Sequence, residues 1–196
     1  MAKTGLFFGS FNPIHVGHLI IAEFMVQYGR LDKVWFVVSP QNPFKVNESM
    51  LHEENRLELV KLAIENDARF EATDVEFSME QPSYTHKTLK HLFAKHPEHD
   101  FVLITGSDNL EEFDKWKNYE EILEMVNVFV YPRPGFSGSR FLQHPGVHLK
   151  AAPVIEISST FIRQSIAEGR CPEYMLPKEV CGEIERKGYY RKNYGK

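Results

Sequence analysis

The feature that most narrows what this chain can become lies in residues 5–19, Gly-Leu-Phe-Phe-Gly-Ser-Phe-Asn-Pro-Ile-His-Val-Gly-His-Leu. The apolar run Leu6-Phe7-Phe8 stops at Gly9-Ser10, a turn-forming Asn12-Pro13 follows, and His15 and His18 flank Gly17 just ahead of the apolar Leu19-Ile20-Ile21-Ala22. That order predicts strand, tight turn, helix. A helix start carries unpaired N–H groups and the positive end of a dipole, so a polyphosphate is stabilised where the turn enters the helix. Two imidazoles three residues apart at such a start can face one ligand, and the glycine between them lets that ligand approach the backbone. A Gly-Ser turn alone needs its glycine only for conformation, and an isolated histidine is more often structural. It is the combination that points to anion chemistry.

The rest of the chain repeats the pattern. Val34–Val38 is an unbroken apolar run ended by Ser39-Pro40, as for a strand buried on both faces of a parallel sheet; with a helix over about 18–29 stopped by Gly29 it completes a βαβ unit. The polar stretch 41–50 then reads as a loop at the C-terminal, ligand-facing edge of that sheet. Helical spacing recurs over 53–66, 84–96 and 177–186, and over 110–125 as two short helices broken near Lys117-Asn118. Strands are predicted at 69–75, 101–104, 126–131, 147–149 and 154–157. Residues 132–146, with three prolines and three glycines, read as a loop, and 187–196 as a basic tail. Ser158-Ser159-Thr160 supply N-cap residues for a helix to about 168, a second phosphate-type helix start late in the chain. Together these predict an α/β fold: a doubly wound, mainly parallel sheet with helices on both faces, in a single domain spanning 1–196.

Composition removes other classes. A net charge of −4 with histidines neutral leaves no broad basic face for a duplex, so nucleic acid is not an expected partner. Nowhere do about 18 apolar residues run together, and Met1–Thr4 lead straight into the first strand, so neither membrane span nor leader is expected and the cytoplasm is the expected location. Cys171 and Cys181 lack a Cys-x-x-Cys or histidine partner in metal spacing and read as reduced thiols. His91, His96 and His99 read as solvated. A homo-oligomer is compatible with the pattern, in which no exposed apolar seam separates from the core.

No Gly-x-x-x-x-Gly-Lys-Ser/Thr and no Gly-x-Gly-x-x-Gly follows the first strand, which removes P-loop and dehydrogenase readings. The segments Gly-Ser-Phe-Asn-Pro-Ile-His-Val-Gly-His and Ile157-Ser-Ser-Thr-Phe-Ile-Arg163 resemble the paired signature of His-x-Gly-His nucleotidyltransferases, which have a Rossmann-like fold. Within that superfamily the chain resembles bacterial nicotinate mononucleotide adenylyltransferases along nearly its whole length. Ser83-Tyr84-Thr85 with Thr88-Leu89, Gly106-Ser107-Asp108 followed by Trp116, Arg133-Pro134-Gly135 and Leu176-Pro177 recur in order. Asn42-Pro43-Phe44-Lys45 departs from the usual Pro-Pro-His-Lys or Pro-Pro-His-Arg, keeping the cation but not the histidine.

The resemblance implies adenylyl transfer from ATP to nicotinate mononucleotide, with pyrophosphate released and Mg2+ carried in with ATP, held by phosphates and water without protein ligands. It places the ATP phosphates at the Gly9, Ser10 and Phe11 backbone, with His15, His18 and Arg163 neutralising charge and Ser158, Ser159 and Thr160 offering hydroxyls and N–H groups. Adenine is expected near Ile104 and Gly106, and Asp108, after a glycine at a strand end, suits ribose hydroxyls. The nicotinate ring is expected against Trp116, with Tyr84 and Thr85 near its carboxylate; Lys45 would reach both substrates' phosphates and Arg133 the mononucleotide phosphate. Loop 132–146 or 41–50 is expected to close over substrate. Two alternatives stand beside this: a same-fold enzyme for nicotinamide mononucleotide or phosphopantetheine, and a non-catalytic nucleotide sensor.

Overall fold

A computed structural model describes residues 1–40, 50–136 and 139–191. Six strands form one parallel sheet in the order β3-β2-β1-β4-β5-β6. They are β1 (Ala2–Gly9), β2 (Lys33–Val38), β3 (Phe70–Thr73), β4 (His99–Gly106), β5 (Asn127–Tyr131) and β6 (Val147–Leu149). The central strands are buried on both faces, which is why Leu6–Phe8, Val34–Val38 and Phe101–Ile104 are continuous apolar runs without alternation. One face packs Phe7, Phe36, Ile104 and Phe129 under α1 (Val16–Gln27), α2 (Glu53–Ile64), α6 (Ser159–Ala167) and α7 (Lys178–Lys187). The other packs Leu6, Trp35, Leu103 and Val128 under α3 (Thr85–Lys95), α4 (Ser107–Glu111) and α5 (Tyr119–Met125). The strand order reverses between β1 and β4, and a doubly wound sheet opens its ligand crevice at the C-terminal ends of such a pair.

Three expected elements differ. Residues 154–157 form no strand: after Lys150 donates its N–H to Val130 O at 2.8 Å, Ala152 donates to Lys150 O at 2.7 Å, and this turn, with Pro153 next, carries the chain off the sheet edge. In the stretch read as loop, Ser139 accepts from the Phe141 N–H and caps a 3₁₀ turn over Arg140–Gln143 that buries Phe141. The basic tail starts later than expected. Gly188 ends α7 with φ of 70°, Tyr189 donates to Ile184 O at 3.1 Å in a Schellman arrangement, and the Tyr189 ring is core. The histidines 96 and 99 are not free in solvent either; their rings flank Trp35 at 5.0 Å each.

The C-terminal ends of β1 and β2 are tied together by Arg56 of α2, fully buried. Its guanidinium donates to Leu51 O (2.8 Å), Ser10 O (2.5 Å), Ser39 O (2.9 Å) and Pro40 O (2.8 Å). All four acceptors are backbone carbonyls of loops that the sheet ladder cannot satisfy, so one side chain replaces the missing pairing. Burial lowers its pKa from the ordinary guanidinium value, with Glu53 opposing. Replacing Arg56 by Met removes these bonds and leaves the carbonyls unpaired, an expected loss of about 3–5 kcal/mol. Urea unfolding should show this as a lowered midpoint at unchanged slope, and a parental midpoint would contradict the assignment.

Candidate active site

The turn after β1 is shaped by close packing. A Cβ on Gly9 would lie 2.9 Å from the Phe11 ring, so glycine is required there, and Phe11 takes a left-handed φ of 44°. The Phe11 ring is core, against Phe36 at 5.5 Å and His18 at 5.1 Å, so only its backbone is available to a ligand. α1 begins at Val16 with His15 as its extended N-cap. The His15 backbone N–H donates to His18 Nδ1 at 3.2 Å, which puts a neutral His18 proton on Nε2. The two rings stack, centroids 3.7 Å apart.

The second helix start folds directly against this turn. Ser159 Oγ donates to Pro13 O at 2.9 Å, and Arg163 Nη1 donates to Asn12 O at 2.8 Å, joining positions 146 and 151 residues apart. The hydroxyls are therefore partly committed. Ser158 Oγ accepts from the Phe161 N–H as the N-cap of α6, and Thr160 Oγ1 accepts from Arg163 Nη2 at 3.3 Å. In these bonds only the Ser159 O–H is spent; Ser158 and Thr160 accept and keep their own hydrogens, so α6 presents those hydroxyls, its backbone N–H groups and the Arg163 guanidinium to an anion. A cavity of about 230 Å³ lies between the two helix starts, and Gly9, Ser10, His15, His18, Ser159 and Arg163 line it.

Asp108 and Arg133 close the same cavity from the β4 and β5 side, with Arg133 Nε 3.6 Å from Asp108 Oδ2. Asp108 Oδ1 is buried without a hydrogen-bond partner. A Cβ on Gly106 would run into that oxygen, so the missing side chain of Gly106 makes room for the Asp108 carboxylate. Ile104, expected with Gly106 beside adenine, is buried and lines a neighbouring cavity.

That neighbouring cavity, of about 390 Å³, shares Phe7–Ser10, Asn109 and Tyr131 with the first and extends to Tyr84, Thr85, Trp116 and Lys117. Tyr84 is the N-cap of α3 and Thr85 its first residue, so a third helix N-terminus faces this space. Trp116 is half-buried, its ring against Phe113 at 5.1 Å. Arg133, expected beside the mononucleotide, lines the helix-start cavity and not this one. Lys45 lies outside the described residues, with the rest of 41–49 and with 137–138, parts of the two stretches of which one or the other was expected to close over substrate.

Two side chains of the larger cavity were not singled out by sequence. Buried Glu76 accepts from Ser83 Oγ (2.9 Å) and Thr88 Oγ1 (2.8 Å) and so fixes the entry to α3. Lys117 sits with Nζ 4.6 Å from the Tyr84 ring centre. Neither stands in a motif; Glu76 could have been suspected only as an acid within the apolar Val75–Phe77, and Lys117 only as Trp116's neighbour.

Electrostatically the site separates charge carriers from neutral donors. Burial, and then the nearby Arg133 cation, lower the His15 pKa from 6.5 to about 4, so His15 is neutral at pH 7 and does not carry the positive charge expected of it. Its Nδ1 is buried and has no hydrogen-bond partner.

Comparison with known proteins follows this geometry. A family model described as cytidylyltransferase-like matches residues 6–165. The protein named "probable nicotinate-nucleotide adenylyltransferase" of Cytophaga hutchinsonii is 52% identical over 188 residues, covering 96% of this chain and 98% of that protein. The Bacteroides fragilis protein of the same name is 49% identical over 182 residues, 93% of this chain and 90% of that one. Among solved structures, Plasmodium falciparum nicotinic acid mononucleotide adenylyltransferase complexed with NaAD superposes with a TM-score of 0.79 at 18% identity, covering 97% of this chain and 98% of that one. At that identity the likeness speaks to fold alone.

The depressed His15 pKa gives a signed expectation. The folded state prefers neutral His15 more strongly than the unfolded chain does, so this contribution is complete above about pH 6.5 and is lost as pH falls toward about 4. Between pH 7.5 and 4.5 the parent should lose about 2 kcal/mol more stability than His15→Gln. Parallel pH profiles for the two proteins in urea unfolding would refute the assignment.

Proposed function

The chain belongs to the nicotinate-nucleotide adenylyltransferases of the cytidylyltransferase-like family, and on that premise we propose that its two joined cavities align ATP with nicotinate mononucleotide for direct adenylyl transfer. One observation carries this reading: the N-terminus of α6 is hydrogen-bonded to the turn that leads into α1, 146 residues earlier, and both helix starts line one cavity that shares its wall with a second, aromatic-lined cavity.

The mononucleotide phosphate is already an anionic nucleophile, so no general base is required and the protein's task is alignment and charge stabilisation. An oxygen of that phosphate attacks the α-phosphorus of ATP in line, the new P–O bond forms as the bond to the β-phosphate oxygen breaks, and pyrophosphate leaves with the electron pair. No covalent enzyme intermediate forms. The backbone of Gly9, Ser10 and Phe11 and the N-terminus of α6 surround the triphosphate, and Arg163 carries positive charge to the leaving group. His15 and His18 serve as neutral donors there, consistent with the burial that keeps His15 uncharged. Lys45 is assigned to the phosphates of both substrates, and Arg133, beside Asp108 in the helix-start cavity, to the mononucleotide phosphate. Asp108 is a carboxylate on the wall of the helix-start cavity, suited to ribose hydroxyls. Mg2+ arrives with ATP, held by phosphate oxygens and water.

In the larger cavity Trp116 offers a face to the electron-poor nicotinate ring. The α3 N-terminus at Tyr84–Thr85 and the Lys117 ammonium favour a carboxylate over an amide, because both act on net negative charge. This favours nicotinate over nicotinamide mononucleotide.

Pyrophosphate release from ATP, followed with each mononucleotide, tests the reading. The parent should prefer the acid by at least about tenfold, Lys117→Met should narrow that ratio with little change in the KM for ATP, and Arg163→Ala should lower kcat by about 100-fold or more. Equal rates with the amide, or turnover unaffected by Arg163→Ala, would overturn the substrate and charge assignments respectively.

A further inference from the structure

Beyond the C-terminal end of α6, whose N-terminus lines the site, Cys171, Cys181 and Glu185 come together in a way that adenylyl transfer does not use. Cys181 is buried on α7, Glu185 stands four residues later on the same helix face, and Cys171 lies on the exposed segment that leaves α6. The two sulfurs are 2.9 Å apart, and the potential ligand atoms of all three residues lie within 4.8 Å of one another. A separate cavity of about 350 Å³ adjoins them, lined also by Arg170, Leu176, Ile184 and Arg191. We propose that Cys171, Cys181 and Glu185 form a binding site for a thiophilic divalent cation of the Zn2+ type, with the cavity leaving room for a water as fourth ligand.

The geometry stands between two chemistries. Sulfurs bonded to each other lie about 2.0 Å apart, whereas two thiolates on one tetrahedral zinc, each at about 2.3 Å, lie about 3.8 Å apart. The observed spacing needs a shift of under about 1 Å either way from those reference values. Glu185, exposed on α7, favours the second. A disulfide has no use for a carboxylate, while a cation needs a third ligand, and a hard oxygen beside two sulfurs is an accepted zinc donor set. Two thiolates and one carboxylate against the cation leave one net negative charge; Arg191 and Arg170, the latter paired with Glu168 at 3.1 Å, line the same cavity. Binding replaces the S–H bond of each thiol with a metal–sulfur bond and releases the protons to solvent.

The sequence hid this site because its cysteines are ten apart and its third ligand is an acid one helical turn further on. In the other cluster of possible ligands among the described residues, His96, Glu98 and His99, His99 Nδ1 is already engaged with Thr4 Oγ1 at 2.7 Å. A metal at the cysteine site would tie the exit of α6 to α7 and so stabilise the fold without entering the reaction.

The test uses the full chain, reduced with a phosphine and freed of metal. Titration with Co2+ should give a thiolate-to-cobalt charge-transfer band saturating at one equivalent, which Zn2+ then displaces while raising the unfolding temperature. Cys171→Ser, an exposed position that tests the site without disturbing the core, should abolish the band, and Glu185→Gln should weaken binding at least tenfold. The transfer rate of Cys171→Ser should match the parent. Absence of the band, a cobalt spectrum without thiolate character, or unchanged affinity in Glu185→Gln would each overturn the proposal. Spontaneous loss of two hydrogens by mass with indifference to metal would replace it with a disulfide.

Discussion

Asn12 is the point through which the site is held. Its carbonyl accepts from Arg163, and its side-chain oxygen accepts from the Leu51 N–H at 3.2 Å and from the Tyr190 hydroxyl at 2.9 Å. Three segments separated by 39, 151 and 178 residues thus converge on one nearly inaccessible asparagine. The physical need is plain. A turn that aims its N–H groups at an anion cannot also spend them on neighbouring strands, so it must be fixed from behind through its carbonyls and side chains. Arg56 does the same one residue pair earlier, at Ser10. The order of the turn is consequently a property of the whole fold, and α6, α7 and the chain after it are present at the site as supports as much as ligands.

This arrangement decides how charge is handled. Water is largely kept from His15, and a buried imidazolium beside Arg133 would be costly, so positive charge is carried by guanidinium and by helix ends, neither of which titrates near neutral pH. Charge stabilisation therefore persists when the imidazoles are neutral. Asp108 sits opposite, its buried Oδ1 without a partner and its Oδ2 near Arg133, so a ligand with hydroxyl donors would complete a group that the protein leaves short.

Much of this was legible in the chain because the informative residues have strong local reasons. The apolar runs of β1, β2 and β4 read as buried parallel strands, Gly9-Ser10 as the turn that ends β1, and Ser158 as an N-cap, each from its own neighbours. What sequence misread depends on distant partners. The hydroxyl of Ser159 looks free until Pro13 O is seen beside it, and Tyr190 looks like tail until it reaches Asn12. The apolar run at 154–157 failed as a strand because a turn at Lys150–Ala152 takes the chain off the sheet edge. Arg56 gave no signal at all, since a cation in an amphipathic helix normally points to water.

The central claim is that adenylyl transfer depends on a turn held in place through Asn12. The direct measurement is the kcat/KM for ATP of Asn12→Ala, made on protein whose near-ultraviolet circular dichroism matches the parent. Because small misplacements of an aligned site cost about 100-fold in rate, the account predicts a fall of at least that size. A parental kcat/KM in a folded Asn12→Ala protein would contradict it.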